Sequence, residues 1–194
     1  MKKLLLGLIT LLSFTSVFGQ NETLNLPIDS LTGKITYKEV ISVDSLTNKQ
    51  ELFSRAREWF AKAYKSSTNV IQMEDKESGK IVGKALIPVS YKFMGGQQPG
   101  GYINYTISIY LKNGKYKYEV TDFYHSGESV NGQRLPDGGN CEKILMEKKG
   151  AGYLSYKKTY ELYLVQMDEN IKALVSDLKT AMKTKATNTK KEDW

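Results

Sequence analysis

Apolar and polar positions alternate along several runs of this chain with a period of two, and give way in two places to spacings of three and four. The run GKITYKEVISVD (33–44) predicts a strand, with Ile35, Tyr37, Ile41 and Val43 on one face and Glu39 interrupting it. Residues 45–67 then carry Leu52, Ala56, Trp59, Phe60 and Ala63 in one stripe, which predicts a helix. Thr47 or Asn48 can cap it, with Gln50 or Glu51 three residues on. Residues 69–89 read as two strands around a turn at 76–79, where Gly79 supplies the backbone freedom that such turns need. Pro88 and the glycines of FMGGQQPGG (93–101) are expected to end the second of them.

The clearest hairpin follows, as a strand at 102–112, the Asn113-Gly114 turn and a strand at 115–125. Ile103, Tyr105, Ile107, Ile109 and Leu111 fall on one face of its first strand. Tyr102, Asn104, Thr106, Ser108 and Tyr110 fall on the other. The second strand continues the apolar face with Tyr116, Tyr118 and Val120. Tyrosine suits pleated, half-buried strands, so packing accounts for most of the local tyrosine enrichment. A Gly-rich loop is expected at 126–142, and KILMEKKGAG is expected to add a short element after it. Tyr160, Leu164, Met167, Ile171, Leu174 and Leu178 predict a long helix over 155–183. The order β-α-β-β-β-β-α, with one polar side to each strand, implies an α+β fold: an antiparallel sheet with its helices packed on one face.

The first nineteen residues, MKKLLLGLITLLSFTSVFG, change where this fold is expected to work. Lys2 and Lys3 precede an apolar stretch too short to span a bilayer, and Gly19 precedes a polar exit. The pattern predicts a signal peptide cleaved near Gly19, a periplasmic or secreted product, and no membrane span after cleavage. Residues 20–32 read as a polar lead-in, 33–183 as a single domain with the loop insertion 126–142, and 184–194 as a disordered basic tail. The chain has a single cysteine, so the fold rests on its apolar core and not on an internal disulfide. The formal charge of +7 falls to +5 without the leader lysines, and the end of the chain from Lys183 holds another +2, which leaves the body near +3. Those charges are interleaved with acids, the pattern of a solvated surface, and no nucleic-acid partner is expected.

Candidate chemistry is sparse. The single histidine, His125, ends a strand, and Cys141 and Asp137 lie in the following loop. A thiol, an imidazole and an acid are the components of a thiol-dependent hydrolase, but the flanks of Cys141 match no nucleophile signature; a surface imidazole and an incidental thiol account for them as well. One His and one Cys do not supply the ligands of a zinc site, and the turn at 75–79 lacks a calcium-loop pattern. No metal site, cofactor or phosphate-binding loop is expected. Tyr91, Phe93, Tyr102, Tyr110 and Tyr124 stand in or beside glycine-rich loops and strand ends, where aromatic rings suit a sugar or a peptide, although covering the edge of a small sheet is the commoner role of such rings.

The strand ITYKEVISVD, the helix ELFSRAREWFAKAY, the hairpin IQMEDKESGKIVGKALIPV and the pair YTISIYLKNGKYKYEVTDFYH resemble the Bacteroidetes family called domain of unknown function 4468. The resemblance covers Gly33 to His125 and implies a curved, TATA-box-binding-protein-like (TBP-like) sheet, whose repeat is also β-α-β4-α. It implies no catalytic or binding residue. A TBP-like fold does not by itself mean DNA binding, because function belongs to sites. The polar face of the hairpin lacks the Phe wedges that kink a minor groove. The expected function is an exported, non-catalytic binding module for a small ligand, a glycan or a partner protein, of unknown oligomeric state. The alternative is a hydrolase using Cys141 and His125.

Overall fold

The computed structural model describes residues 24–64, 66–130, 133–146 and 153–185. The leader expected at 1–19 and the tail from 186 onward lie outside these residues. The first strand is β1 (Tyr37–Ser42), followed by the helix α1 (Lys49–Ala63) and a single helical turn, α2 (Ser67–Val70). Asn48 caps α1, its side-chain oxygen accepting from the Glu51 N–H at 2.8 Å, while the Glu51 carboxylate accepts from Arg55 one turn on. Three long antiparallel connections then build the sheet from β2 (Ile71–Asp75), β3 (Lys80–Phe93), β4 (Gly96–Lys112) and β5 (Lys115–Ser126). The strand order is β1-β5-β4-β3-β2, so the first strand returns to lie beside the fifth.

Both long helices lie on one face of this sheet. α4 (Tyr153–Lys183) packs against α1 and β3. Leu164, Met167, Ile171 and Leu178 of α4 are fully buried, as are Leu52, Ala56 and Phe60 of α1. They meet Ile81, Ile103, Ile107, Ile109 and Val120 from the inner face of the sheet in one core. Polar bonds fix the docking at its margins. Trp59 Nε1 donates to Asp177 at 2.8 Å, Arg55 donates to the Met182 carbonyl at 2.8 Å, and the Tyr37 hydroxyl donates to Asp168 at 2.7 Å. Tyr105, Tyr116 and Tyr118 are buried, as the alternation predicts.

Three expectations are corrected by the tertiary structure. Pro88 and the glycines of 93–101 do not end a strand: β3 runs through Pro88 to Phe93 and β4 begins at Gly96. Among the described residues, β4 is the only strand beside β3 beyond Gly83, so Pro88 faces an edge with no strand partner and its missing N–H breaks no ladder bond. Two residues on, Gln166 from α4 caps the same edge, accepting from Ser90 N–H at 3.1 Å and donating to Ser90 C=O at 2.8 Å. The segment 126–142 is not a bare loop. It contains a small ladder between β6 (Ser129–Val130) and β7 (Gln133–Arg134), and β8 (Gly139–Asn140) pairs with β5 at Tyr124 and His125. A short helix α3 (Cys141–Met146) follows directly. The lead-in is also anchored. Leu26 is buried, Ile28 bridges to Ile35, and Thr36 N–H donates to the Pro27 carbonyl.

Candidate functional site

The site begins with a register change in β5. Inward positions run Tyr116, Tyr118, Val120 and then Phe123 and His125, so one extra residue is inserted between them. Asp122 sits there at φ 60°, a conformation that an aspartate tolerates better than most side chains, and its carboxylate meets Lys34 at 2.6 Å. Strict alternation would place Tyr124 inside and His125 outside. The bulge reverses them, leaving Tyr124 40% exposed and His125 2% exposed. The expectation of a surface imidazole is therefore corrected.

His125 is held at both ring nitrogens. Nε2 lies 2.7 Å from the Gly100 carbonyl, and Nδ1 accepts from Gly138 N–H at 2.9 Å, which assigns the remaining proton to Nε2 and keeps the ring neutral. Burial lowers its pKa below the usual 6.5, opposed by the Gly100 bond and by Asp137. The ring stacks on Tyr163 at 5.1 Å and meets Tyr160 edge-on at 5.4 Å. This packing requires two glycines. A Cβ at Gly100 would lie 2.4 Å from the Tyr163 hydroxyl oxygen, and one at Gly138 would lie 2.7 Å from the Tyr160 ring.

Beside this cluster lies a cleft of about 360 Å³, lined by Tyr91, Phe93, His125, Pro136, Tyr160 and Tyr163 among others. Phe93 stands 57% exposed at its rim and Lys92 provides the nearby charge. The five proposed ligand-binding aromatics are divided by the fold. Tyr91 and Phe93 belong to the cleft, on the helix side. Tyr102, Tyr110 and Tyr124 lie on the opposite, open face of the sheet. There the Tyr102 hydroxyl donates to Glu128 at 3.1 Å, and Tyr110 lies between Lys117 and Lys80. The sequence did not single out Tyr160 and Tyr163 as site residues. Their helical spacing signals core packing, and nothing in it shows that the end of their stripe overhangs a cleft.

Cys141 is also buried, at 0% exposure. Burial, with Glu142 nearby, pushes its thiol up to about 12, against a bond from the His125 backbone N–H to the sulfur. The thiol thus meets the main chain of His125, while both imidazole nitrogens are engaged by other backbone groups. An accessible, acidic thiol beside a free imidazole nitrogen, which hydrolase chemistry needs, is not what this arrangement provides. Among the described residues no group of three His, Cys, Asp or Glu side chains is placed to hold a metal ion. No described helix is long and apolar enough to cross a membrane.

Comparison with known proteins agrees with this architecture. Residues 37–126 match the family model described as a domain of unknown function (DUF4468) with TBP-like fold. A TBP-like protein from Parabacteroides distasonis ATCC 8503 superposes with a TM-score of 0.63 at 16% identity, over 81% of this chain and 98% of that one. A DUF4468 family protein from Bacteroides ovatus ATCC 8483 superposes with a TM-score of 0.60 at 12% identity, over 82% of this chain and 92% of that one. At these identities the likeness is one of fold. No curated protein matches the chain. The match over residues 37–126 is thus to a family of unknown function with a TBP-like fold, the fold that the sheet and helices described above adopt.

Proposed function

We propose that this protein is an exported, non-catalytic binding module that takes a small uncharged ligand, such as a sugar unit of a glycan, in the cleft beside His125. The observation that carries this reading is the lining of the cleft. Tyr91, Phe93, Tyr160 and Tyr163 offer ring surface, and the imidazole beside them, His125, has both ring nitrogens bonded to the main chain. Aromatic faces with a few hydroxyls suit the apolar faces and edge hydroxyls of a sugar ring. The leader pattern at 1–19 supports export. The buried, high-pKa thiol of Cys141 supports the non-catalytic reading over the hydrolase alternative.

The test is a thermal-shift screen of the chain from Gln20 onward against neutral oligosaccharides and peptidoglycan fragments. A ligand that binds only the native state raises the melting temperature by mass action. Phe93 is largely exposed, so Phe93→Ala should leave the unliganded melting temperature nearly unchanged while abolishing the shift. Absence of any shift with these sugars, or a shift that survives Phe93→Ala, would reject this reading of the cleft.

A further inference from the structure

The charges that are interleaved with acids along the chain do not stay interleaved in the fold. On the open face, away from both helices, Lys80 of β3 and Lys117 of β5 stand directly across from Tyr110 of β4. Their ammonium groups lie 5.3 and 4.5 Å from the Tyr110 ring centre. Lys112 and Lys115 oppose each other at the hairpin end of the same face, a like-charge pair that weakens a sheet. Lys84 stands further along β3, opposite Thr106. The acids of this face are fewer: Glu119 bonds Lys117 at 3.0 Å, Asp75 pairs across from Lys80, and Glu128 at the far end accepts from the Tyr102 hydroxyl. Asp122 at its margin is already taken by Lys34. Among the described residues, Lys84, Lys112 and Lys115 form no ion pair.

We propose that this open face binds an acidic polysaccharide, a chain of sugars bearing carboxylates or sulfates, at a site separate from the cleft. The charge excess calls for an anionic partner, and its layout calls for an extended one. Neighbouring strands lie roughly 4.8 Å apart, so Lys80 and Lys117, two strands from each other, are roughly 10 Å apart at the backbone. Two hollows follow one another along the face. One, of about 340 Å³, is lined by Val40, Tyr110, Lys112, Lys115 and Lys117; the other, of about 460 Å³, by Lys84, Leu86, Asn104, Thr106 and the Lys34-paired Asp122 among others. The amide oxygen of Asn104, whose NH2 donates to Tyr124 and Ser126, and the hydroxyls of Thr106 and Ser108 match sugar hydroxyls, and exposed Val40 and Leu86 give apolar contact for ring faces.

A glycan fits these groups better than a nucleic acid. The Tyr110 ring is covered by lysines and is not free to stack on a base. Arg55 and Arg57, which could fork onto a phosphate, stand on α1 and therefore on the other side of the sheet. Lysine point charges are sufficient for carboxylates spaced along a polymer.

The experiment is calorimetric titration of the chain from Gln20 onward with polygalacturonate, with neutral dextran, polyglutamate and a DNA duplex as comparators, at low and physiological salt. Polygalacturonate is expected to bind more tightly than all three and to weaken as salt rises. The surface variant Lys80→Gln/Lys84→Gln/Lys117→Gln should lose roughly tenfold or more in affinity, since each exposed contact is worth a few-fold at most. Phe93→Ala should leave this binding unchanged, which separates failure of this site from failure of the cleft. Binding no tighter than to dextran, or unaffected by the triple substitution, would overturn the proposal. Tighter binding to polyglutamate or to DNA would overturn the assignment to a glycan.

Discussion

His125 joins three parts of the fold. It bonds Gly100 through one nitrogen and Gly138 through the other, and so ties β4 to the segment before β8 while packing on two tyrosines of α4. Its pKa in the fold is lowered, chiefly by burial. The folded state therefore prefers the neutral ring. That contribution is complete above about 6.5, the ordinary value of the imidazole, and is lost as pH falls from there toward the folded value. The melting temperature should accordingly decline from pH 7 to pH 5, before most carboxylates titrate. In His125→Gln the melting temperature at pH 8 should be lower, and its slope over that window flatter. Equal slopes for the two proteins would mean that the ring does not carry the effect.

At the scale of elements, α4 and β4 approach closely because Gly100 has no side chain. A methyl group there would come within 2.6 Å of three atoms of Tyr163, a buried residue with little room to move. Gly100→Ala should therefore push α4 from the sheet and cost about 1–3 kcal/mol, as overpacking of a filled core does. Chemical denaturation would measure it, and a loss below a few tenths of a kcal/mol would show that the ring shifts freely. The Asn113-Gly114 turn illustrates a different point. Only Gly114 of the pair has positive φ, at 71°, and Asn113 instead turns its side-chain oxygen to the Lys49 N–H at 2.8 Å. The turn thereby supports the start of α1, a contact between residues far apart in the chain.

For the whole molecule, the decisive interaction is the docking of two helices on one sheet face. Trp59, 2% exposed, fills the seam between α1 and α4 and donates to Asp177. Trp59→Phe removes both volume and hydrogen bond and should cost about 1–3 kcal/mol. Asp177→Asn keeps an acceptor and should cost less. If Asp177→Asn proved as damaging as Trp59→Phe, the bond and not the packing would hold the seam. Among the described residues neither helix covers the opposite face of the sheet, and that face gathers the lysines of β3, β4 and β5 into one field.

The order of the main strands and helices, the inward faces of β4 and β5, and the apolar stripes of α1 and α4 were legible in the sequence, because local periodicity decides which side of an element is apolar. The cap at Asn48 was legible for the same reason: its partner is three residues away. Contacts between distant residues were not. The continuation of β3 through Pro88 depends on an edge that only the sheet order defines. The burial of His125 depends on a one-residue bulge at Asp122, which reverses every later side chain of the strand. The cleft draws Tyr91 and Phe93 from β3 and Tyr160 and Tyr163 from a helix some seventy positions later, with Gly100 between them. Local pattern determined the elements and their apolar sides; only tertiary packing decided which aromatic rings share a cleft and which lysines share a face, because proximity there is set by strand pairing and helix docking and not by spacing along the chain.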